Sequence, residues 1–237
     1  VFRVPAPGLG AEPLVDAARP EPRASRLDGE PVGRVSDTGR IVEEWYRRFG
    51  STALVTVEGE LVNRGAWVGA SSGVTSYEGI TFKLAKAAAD PQVDNIVLDI
   101  DSPGGEAVGA MEAASYVRAI AAIKPVTAYV NGMAASAGYA LASGATRIVA
   151  VPSALVGSIG TVLLHMDVSR EMEMKGRKPT LIHAGAHKVD GHPFAPLPDA
   201  VRADLQAEVN AFYADFVATV VRHRAGLTDE AVRGTEA

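Results

Sequence analysis

The chain contains no cysteine. That excludes disulfide staples, thiolate zinc sites and a cysteine nucleophile, and it leaves the redox compartment open. Positive charge is also in short supply: 23 Lys and Arg stand against 28 Asp and Glu, for a formal net charge of -5 and an isoelectric point near 5.6. No basic field exists to hold a phosphate backbone, so nucleic acid is not an expected partner. Long apolar runs are missing as well. The best stretch, Ile120 to Ala145, is broken by Lys124, Pro125, Asn131 and several glycines, short of the roughly 20 uninterrupted residues that a membrane span needs. The first residues hold neither an initiator Met nor a basic segment followed by an apolar run, which reads as a trimmed chain and not as a secretory precursor. What is present is 237 residues, 47% of them hydrophobic and 22% charged, enough for one sizeable core or two small ones in a soluble globular protein.

Pro5, Pro7, Pro13, Pro20, Pro22 and Pro31, interleaved with Arg, Asp, Glu and Gly, make the first 40 or so residues a poor helix or strand former. Residues 1–50 are therefore expected to be an arm or linker with a short helix at Ile41 to Phe49, and residues 51–237 the folded domain. From Ala53 the texture changes, with apolar β-branched runs alternating with helical ones. The pattern predicts strands at 53–62, 95–100, 126–130, 147–151 and 179–183, and helices at 77–89, 106–122, 136–144, 168–175 and 199–225. Short apolar strands separated by helices define an α/β class with a mainly parallel sheet. Val201, Leu205, Val209, Phe212, Phe216 and Val220 recur at helical spacing on the last helix, a stripe that suits a core or a second subunit.

Two strand-to-helix connections carry chemical potential. Asn95-Ile-Val-Leu-Asp-Ile-Asp-Ser-Pro-Gly-Gly105 runs from an apolar strand into Pro103 and two glycines, a loop whose exposed N–H groups could stabilise an oxyanion or could simply make a tight turn. Val126 to Val130 enters Asn131-Gly-Met-Ala-Ala-Ser-Ala-Gly-Tyr-Ala-Leu141, where Ser136 stands among small residues at a helix start. Small neighbours let a carbonyl reach the hydroxyl, and the Ala137 N–H can face the same oxyanion as Gly105; close helix–sheet packing through Ala and Gly is the plainer reading.

A serine needs a base. The loop 184–198 offers His187, Lys188 and His192, with His165 and His183 nearby in sequence, and a Ser-His-Asp set built from His187 or His192 with Asp190 or Asp167 is open on composition alone. The histidines have no His-Glu-x-x-His spacing and no cysteine partners, which argues against a metal. Asp99 and Asp101 alternate along one strand and are expected to anchor the following loop. Trp67 and Tyr77 flank the Gly/Ser-rich segment Gly69 to Ser76, which suits either a substrate cleft or the core.

Asp101-Ser-Pro-Gly-Gly105, Ala134-Ala-Ser-Ala-Gly-Tyr139, Val156-Gly-Ser-Ile-Gly160 and Gly185-Ala-His-Lys188, in this order, resemble the signal peptide peptidase A (protease IV) family. Ser76-Tyr-Glu-Gly-Ile80, Lys188-Val-Asp-Gly191 and Thr235-Glu-Ala237 are similar to its phage-type capsid, or head-maturation, protease branch. The resemblance runs from about Ala53 to the end. It implies a Clp protease/crotonase-like fold of repeated strand-strand-helix units around a mainly parallel sheet, and a serine endopeptidase working through an acyl-enzyme. Carried over residue by residue, it makes Ser136 the nucleophile, Lys188 the general base, the N–H groups of Gly105 and Ala137 the oxyanion hole, and Ser158 an auxiliary hydroxyl. Many cellular members have Gly-Gly after the nucleophile where this chain has Ala137-Gly138, a change that keeps the backbone donor and bears on substrate preference.

The resemblance further implies no metal or other cofactor, a homo-oligomer, a polypeptide substrate such as a phage scaffold or capsid protein, a place in the host cytoplasm or procapsid, and a domain truncated near Ala237. An ammonium with the ordinary lysine pKa of about 10.4 cannot accept a proton at neutral pH, so a lysine base calls for a water-poor pocket. Ala184, Ala186, Val189, Phe194 and Leu197 are compatible with one. Two other readings compete: a crotonase-like acyl-CoA hydratase or isomerase, which needs no nucleophilic serine, and a non-catalytic capsid assembly module.

Overall fold

The computed structural model describes residues 29–65 and 73–234. The expected arm therefore falls largely outside the described residues, as do Trp67, Gly69 to Ser72 and the Thr235-Glu-Ala237 motif. The described residues divide into two compact units, one of Thr161–Ala214 and a larger one formed by the described residues up to Gly160 together with those from Asp215 onward.

In the larger unit, β3 (Thr52–Val62), β5 (Asn95–Gly105) and β6 (Val126–Ala135) are apolar, β-branched strands paired in parallel, and their inward residues are buried: Val55, Val57, Ile96, Leu98, Ile100, Val126, Ala128 and Val130. β7 (Arg147–Ala150) extends the sheet beyond β6, while β8 (Leu155–Gly157) pairs with the end of β6 and β4 (Val74–Ser76) with the end of β3. The helices α1 (Tyr77–Ala89), α2 (Ala110–Ala121) and α3 (Ala137–Gly144) follow β4, β5 and β6 in the chain. α1 starts where the Ser76 hydroxyl accepts the Gly79 N–H, and it buries Tyr77, Ile80, Leu84 and Ala87 at helical spacing. The α/β class with a mainly parallel sheet is thus observed.

The helix expected at Ile41 to Phe49 is instead β2 (Ile41–Phe49), antiparallel to β1 (Glu30–Val35) inside the predicted arm. Ile41, Trp45, Tyr46 and Phe49 are β-branched or aromatic residues that suit a strand once a partner exists, and the turn Ser36–Gly39, with Gly39 at φ +78°, supplies that partner. β2 joins the sheet through Arg47–Phe49 against Thr52–Leu54. The Tyr46 hydroxyl donates to Asp90 Oδ2 at 2.5 Å, and Lys124 Nζ donates to the Asp90 carbonyl at 2.6 Å, so β2 is tied to the end of α1. The Asp90 carboxyl is held below its usual range, first by the Tyr46 hydrogen bond.

β5 and β6 each continue through the stretches expected as loop 101–105 and turn 131–135. Backbone pairing explains the extension, since Glu60 and Leu61 stay in register with Gly104 and Gly105, and Met133–Ala135 with β8. In the smaller unit α4 (Ser169–Met174) forms as expected, but 179–183 is not a strand; Ile182 is 96% exposed, and β-prone residues without a partner strand have no ladder to join. The long helix α5 (Asp199–His223) spans both units, and α6 (Asp229–Arg233) follows it. Of its apolar stripe, Phe216 and Val220 are buried, in the larger unit. Among the described residues no helix is long and apolar enough to cross a membrane.

Candidate active site

Ser136 lies between β6 and α3 with φ 52° and ψ -123°, a conformation that L side chains seldom adopt. It is one of two non-glycine residues at positive φ among the described residues; the other is Ser158, at φ 57°. Both are serines singled out from the sequence. Strain of this kind persists where surrounding contacts over-determine the backbone, and three are identifiable here. Ser136 N–H donates to the Gly157 carbonyl at 2.8 Å, its own carbonyl accepts the Ala140 N–H at 3.0 Å, and β6 is held on both sides by β5 and β8. The Ser136 side chain makes no capping bond to the helix, so its hydroxyl is not engaged in holding α3.

The end of β5 abuts this turn. A Cβ built on Gly104, where φ is +100°, would stand 2.6 Å from Ser136 Cβ and 3.1 Å from the Ala137 nitrogen, so only glycine fits. The Gly104 N–H donates to Ser102 Oγ at 3.1 Å. Glu106 N–H donates to the Leu61 carbonyl at 2.8 Å, toward β3. Amides alternate along a strand, so the Gly105 N–H faces the β6 side, where the β5–β6 ladder has already ended at Ser102 and Ala134. Ala137 N–H is the first amide of α3, which lacks an intrahelical acceptor. The two expected oxyanion donors therefore belong to neighbouring stretches of one unit, next to Ser136.

Asp99 and Asp101 both hold the end of β6. Asn131 Nδ2 donates to Asp99 Oδ1 at 2.8 Å, and Met133 N–H donates to Asp101 Oδ1 at 3.0 Å. Tyr77 sits in the core at 3% exposure, and its hydroxyl donates to the Glu106 carbonyl at 2.6 Å. Its burial, with Glu106 nearby, pushes that phenol up. At the far end of α3, Ser143 Oγ donates to the Ala140 carbonyl and lies 3.2 Å from His223 Nδ1, while Arg224 Nη1 donates to the Ala145 carbonyl. Burial first, then Arg222, Arg118 and Arg224, lowers the His223 pKa to about 4. Sequence reasoning missed His223, because a histidine late in a helix carries no signal of the serine it meets 80 residues earlier.

Lys188 belongs to the smaller unit, in a turn where its N–H donates to the Gly185 carbonyl at 3.4 Å, and its side chain is exposed within this chain. Ala184 and Ala186 are exposed too, and Val189, Phe194 and Leu197 half-buried, so the described residues do not supply the water-poor pocket that was expected. His187 Nδ1 pairs with Asp190 Oδ2 at 2.8 Å, with the imidazole 86% exposed. His192 Nδ1 accepts the Phe194 N–H, and Asp167 accepts the Ser169 N–H. Burial does lower one lysine, Lys83, to about 8 against the pull of Glu44, but Glu44 lies on β2, three places from β6 in the sheet order. Among the described residues no cluster of His, Asp and Glu could hold a metal ion.

Comparison with known proteins agrees with this fold. Residues 54–156 match the Clp protease family model, which fits the parallel sheet and its crossover helices and makes the fold Clp protease/crotonase-like, as expected. The chain is 41% identical over 201 residues to "Capsid assembly protease C" of Escherichia phage lambda, covering 85% of this chain and 46% of that protein. It is 41% identical over 192 residues to "Head-tail preconnector protein GP5" of Enterobacteria phage P21, covering 81% and 38%. "Protease 4" of Salmonella typhi is 35% identical over 152 residues, covering 63% and 22%. The chain spans less than half the length of each of these relatives. Residues 118–236, half of the sequence, match the family model described as Peptidase family S49, and the chain belongs to that family.

Proposed function

We propose that the protein is a serine endopeptidase that cleaves phage scaffold or capsid polypeptides through an acyl-enzyme, with Ser136 as nucleophile and Lys188 as general base. The observation that carries this reading is the Ser136 turn: a positive-φ serine whose hydroxyl is uncommitted, backed by a glycine that no other residue could replace. Such geometry stores strain for the sake of presenting one oxygen. Family membership favours it over a hydratase, which would have no use for a strained nucleophilic serine. The names borne by the phage relatives are the basis for the substrate class.

In the proposed cycle Ser136 Oγ attacks the scissile carbonyl carbon while Lys188 Nζ takes the hydroxyl proton. The carbonyl oxygen becomes an oxyanion held by the Gly105 and Ala137 N–H groups. As the C–N bond breaks, Lys188 returns the proton to the leaving amine. Water then attacks the acyl carbon as Lys188 Nζ takes its proton, and when the ester C–O bond breaks Lys188 returns that proton to Ser136 Oγ, releasing the carboxylic acid product. Ser158, next to the Gly157 carbonyl that holds Ser136 N–H, is the proposed auxiliary hydroxyl. The reading requires Lys188 to leave water, and a second copy of the chain is the proposed source of that burial, since Val162, Leu164, Met174 and Ile182 of its unit are more than half exposed.

A Ser-His mechanism is the second reading, supported by the His187–Asp190 pair. Digestion of unfolded casein separates the two. Wild type should cleave it, Ser136→Ala and Lys188→Ala should reduce cleavage to background, and His187→Ala should retain most of it. Retention by Lys188→Ala with loss in His187→Ala would overturn the lysine assignment, and full activity of Ser136→Ala would overturn the nucleophile.

A further inference from the structure

Ser102 is fully buried, yet its hydroxyl serves neither as nucleophile nor as a helix cap. Its Oγ donates to the Gly59 carbonyl at 2.7 Å and accepts the Gly104 N–H at 3.1 Å. Gly59 is the irregular point of β3, at φ +73°, where the β3–β5 register shifts between Glu58 and Glu60. One hydroxyl thus bridges the two places where neighbouring strands depart from regular pairing. Ser102 also touches α3: a Cβ built on Gly138 would meet the Ser102 carbonyl oxygen at 3.1 Å and Ser102 Cβ at 3.3 Å. The residue therefore lies against both stretches that carry the amides beside Ser136, Gly104-Gly105 on one side and Ala137-Gly138 on the other.

Resting on the peptidase reading above, we propose that Ser102 is a positioning residue for the oxyanion site, its hydroxyl fixing the separation and aim of the Gly105 and Ala137 N–H groups. By accepting the Gly104 N–H, Ser102 Oγ turns that amide inward and away from the site. With Gly104 so committed, and Glu106 N–H committed to Leu61, Gly105 is the one amide of the three left to face the Ser136 side. The Ser102 backbone and Cβ then set how closely the first turn of α3 can approach. Donors that are fixed before reaction lower the barrier because no reorganisation is needed when charge develops, so loosening them should cost turnover far more than substrate binding.

Ser102→Ala removes both hydrogen bonds, and Ser102→Cys keeps the volume while offering only a weak acceptor. Ser143→Ala deletes another buried hydroxyl in α3 without touching β5, and it controls for general destabilisation. Two readouts are needed on the full chain: kcat and KM on a fluorogenic peptide taken from a casein cleavage site, and the rate of Ser136 labelling by an alkyl fluorophosphonate, whose tetrahedral adduct places an oxygen between the two amides as fluoride leaves. Ser102→Ala and Ser102→Cys should each lower kcat and the labelling rate about 10- to 100-fold with KM changed less than about threefold. Ser143→Ala should change neither, at equal or greater loss of thermal stability. A kcat for Ser102→Cys within about twofold of wild type, or equal losses in Ser143→Ala, would overturn the positioning role. A wild type that neither labels nor cleaves would instead overturn the peptidase reading, and this inference with it.

Discussion

Replacing Gly104 by alanine tests the site where its geometry is tightest. The new Cβ would stand 2.6 Å from Ser136 Cβ, 3.0 Å from the Ala135 carbonyl oxygen and 3.1 Å from the Ala137 nitrogen. Carbon atoms in good contact sit about 3.5–4.0 Å apart, so the turn must retreat by roughly 1 Å. Two of the three neighbours are backbone atoms and the third is a Cβ, so no flexible side chain can yield in their place. The backbone at Gly104, φ +100°, adds about 1–3 kcal/mol of strain for any residue with a Cβ. A displacement of about 1 Å at reacting groups costs on the order of 100-fold in rate. Gly104→Ala should therefore lose about 100-fold in casein cleavage and in fluorophosphonate labelling, along with a modest fall in thermal midpoint. Gly39→Ala isolates the strain, since Gly39 has φ +78° but nothing within 4 Å of the place its new methyl would take, so it should lose similar stability and no activity. Activity of Gly104→Ala within about threefold of wild type would refute the argument that β5 sets the position of Ser136.

Three further outcomes are expected. Tyr77→Phe strands the Glu106 carbonyl, which accepts the Tyr77 hydroxyl at 2.6 Å, and should lower unfolding free energy in urea by about 1–2 kcal/mol. His223 has its pKa lowered in the fold to about 4 from 6.5, so the unfolded chain binds the proton first as pH falls; its contribution is intact above pH 6.5 and is lost progressively down to pH 4. Unfolding free energies from urea titration should fall more steeply across that window in wild type than in His223→Gln, by on the order of 1 kcal/mol after solvent screening, and parallel curves would refute the assignment. If a second copy supplies the burial that Lys188 lacks, cleavage per protomer should drop on dilution below the assembly range, and Ile182→Asp should give a smaller species in sedimentation velocity with an unchanged circular dichroism spectrum. A wild type that sediments as a monomer while fully active would refute it.

Much of the larger unit is legible in the sequence because local signals agree with the tertiary outcome. The predicted helix 77–89 coincides with α1, since Ser76 caps it and the spacing of Ile80, Leu84 and Ala87 is unambiguous. The Ser136 turn can be placed from small residues between an apolar strand and a helical pattern. Its dihedral angles cannot, because strain is imposed by Gly157, Gly104 and the flanking strands. β2 reads as helix for the opposite reason: Ile41–Phe49 holds both apolar and charged residues, and only the antiparallel partner Glu30–Val35, hidden in a proline-bearing segment, decides between the two states. Asp99 and Asp101 show the same limit, since their acceptors serve Asn131 and Met133, some 30 positions onward.

The two halves of the proposed dyad differ in what they depend on. Ser136 is fixed by contacts internal to one unit: hydrogen bonds to Gly157 and Ala140, the glycine at 104, and the buried Ser102 behind it. Lys188 belongs to a unit in which no described residue is buried and Leu164, Met166, Met174 and Ile182 face outward. Folding such a segment costs conformational entropy with little return from apolar burial inside it, so apolar partners covering these side chains would stabilise its order. The same covering would strip water from Lys188, which couples the base to whatever binds there and leaves the nucleophile independent of it. Under the proposed mechanism the strained serine is held at all times, and the base would be completed only when the outward apolar side chains are met.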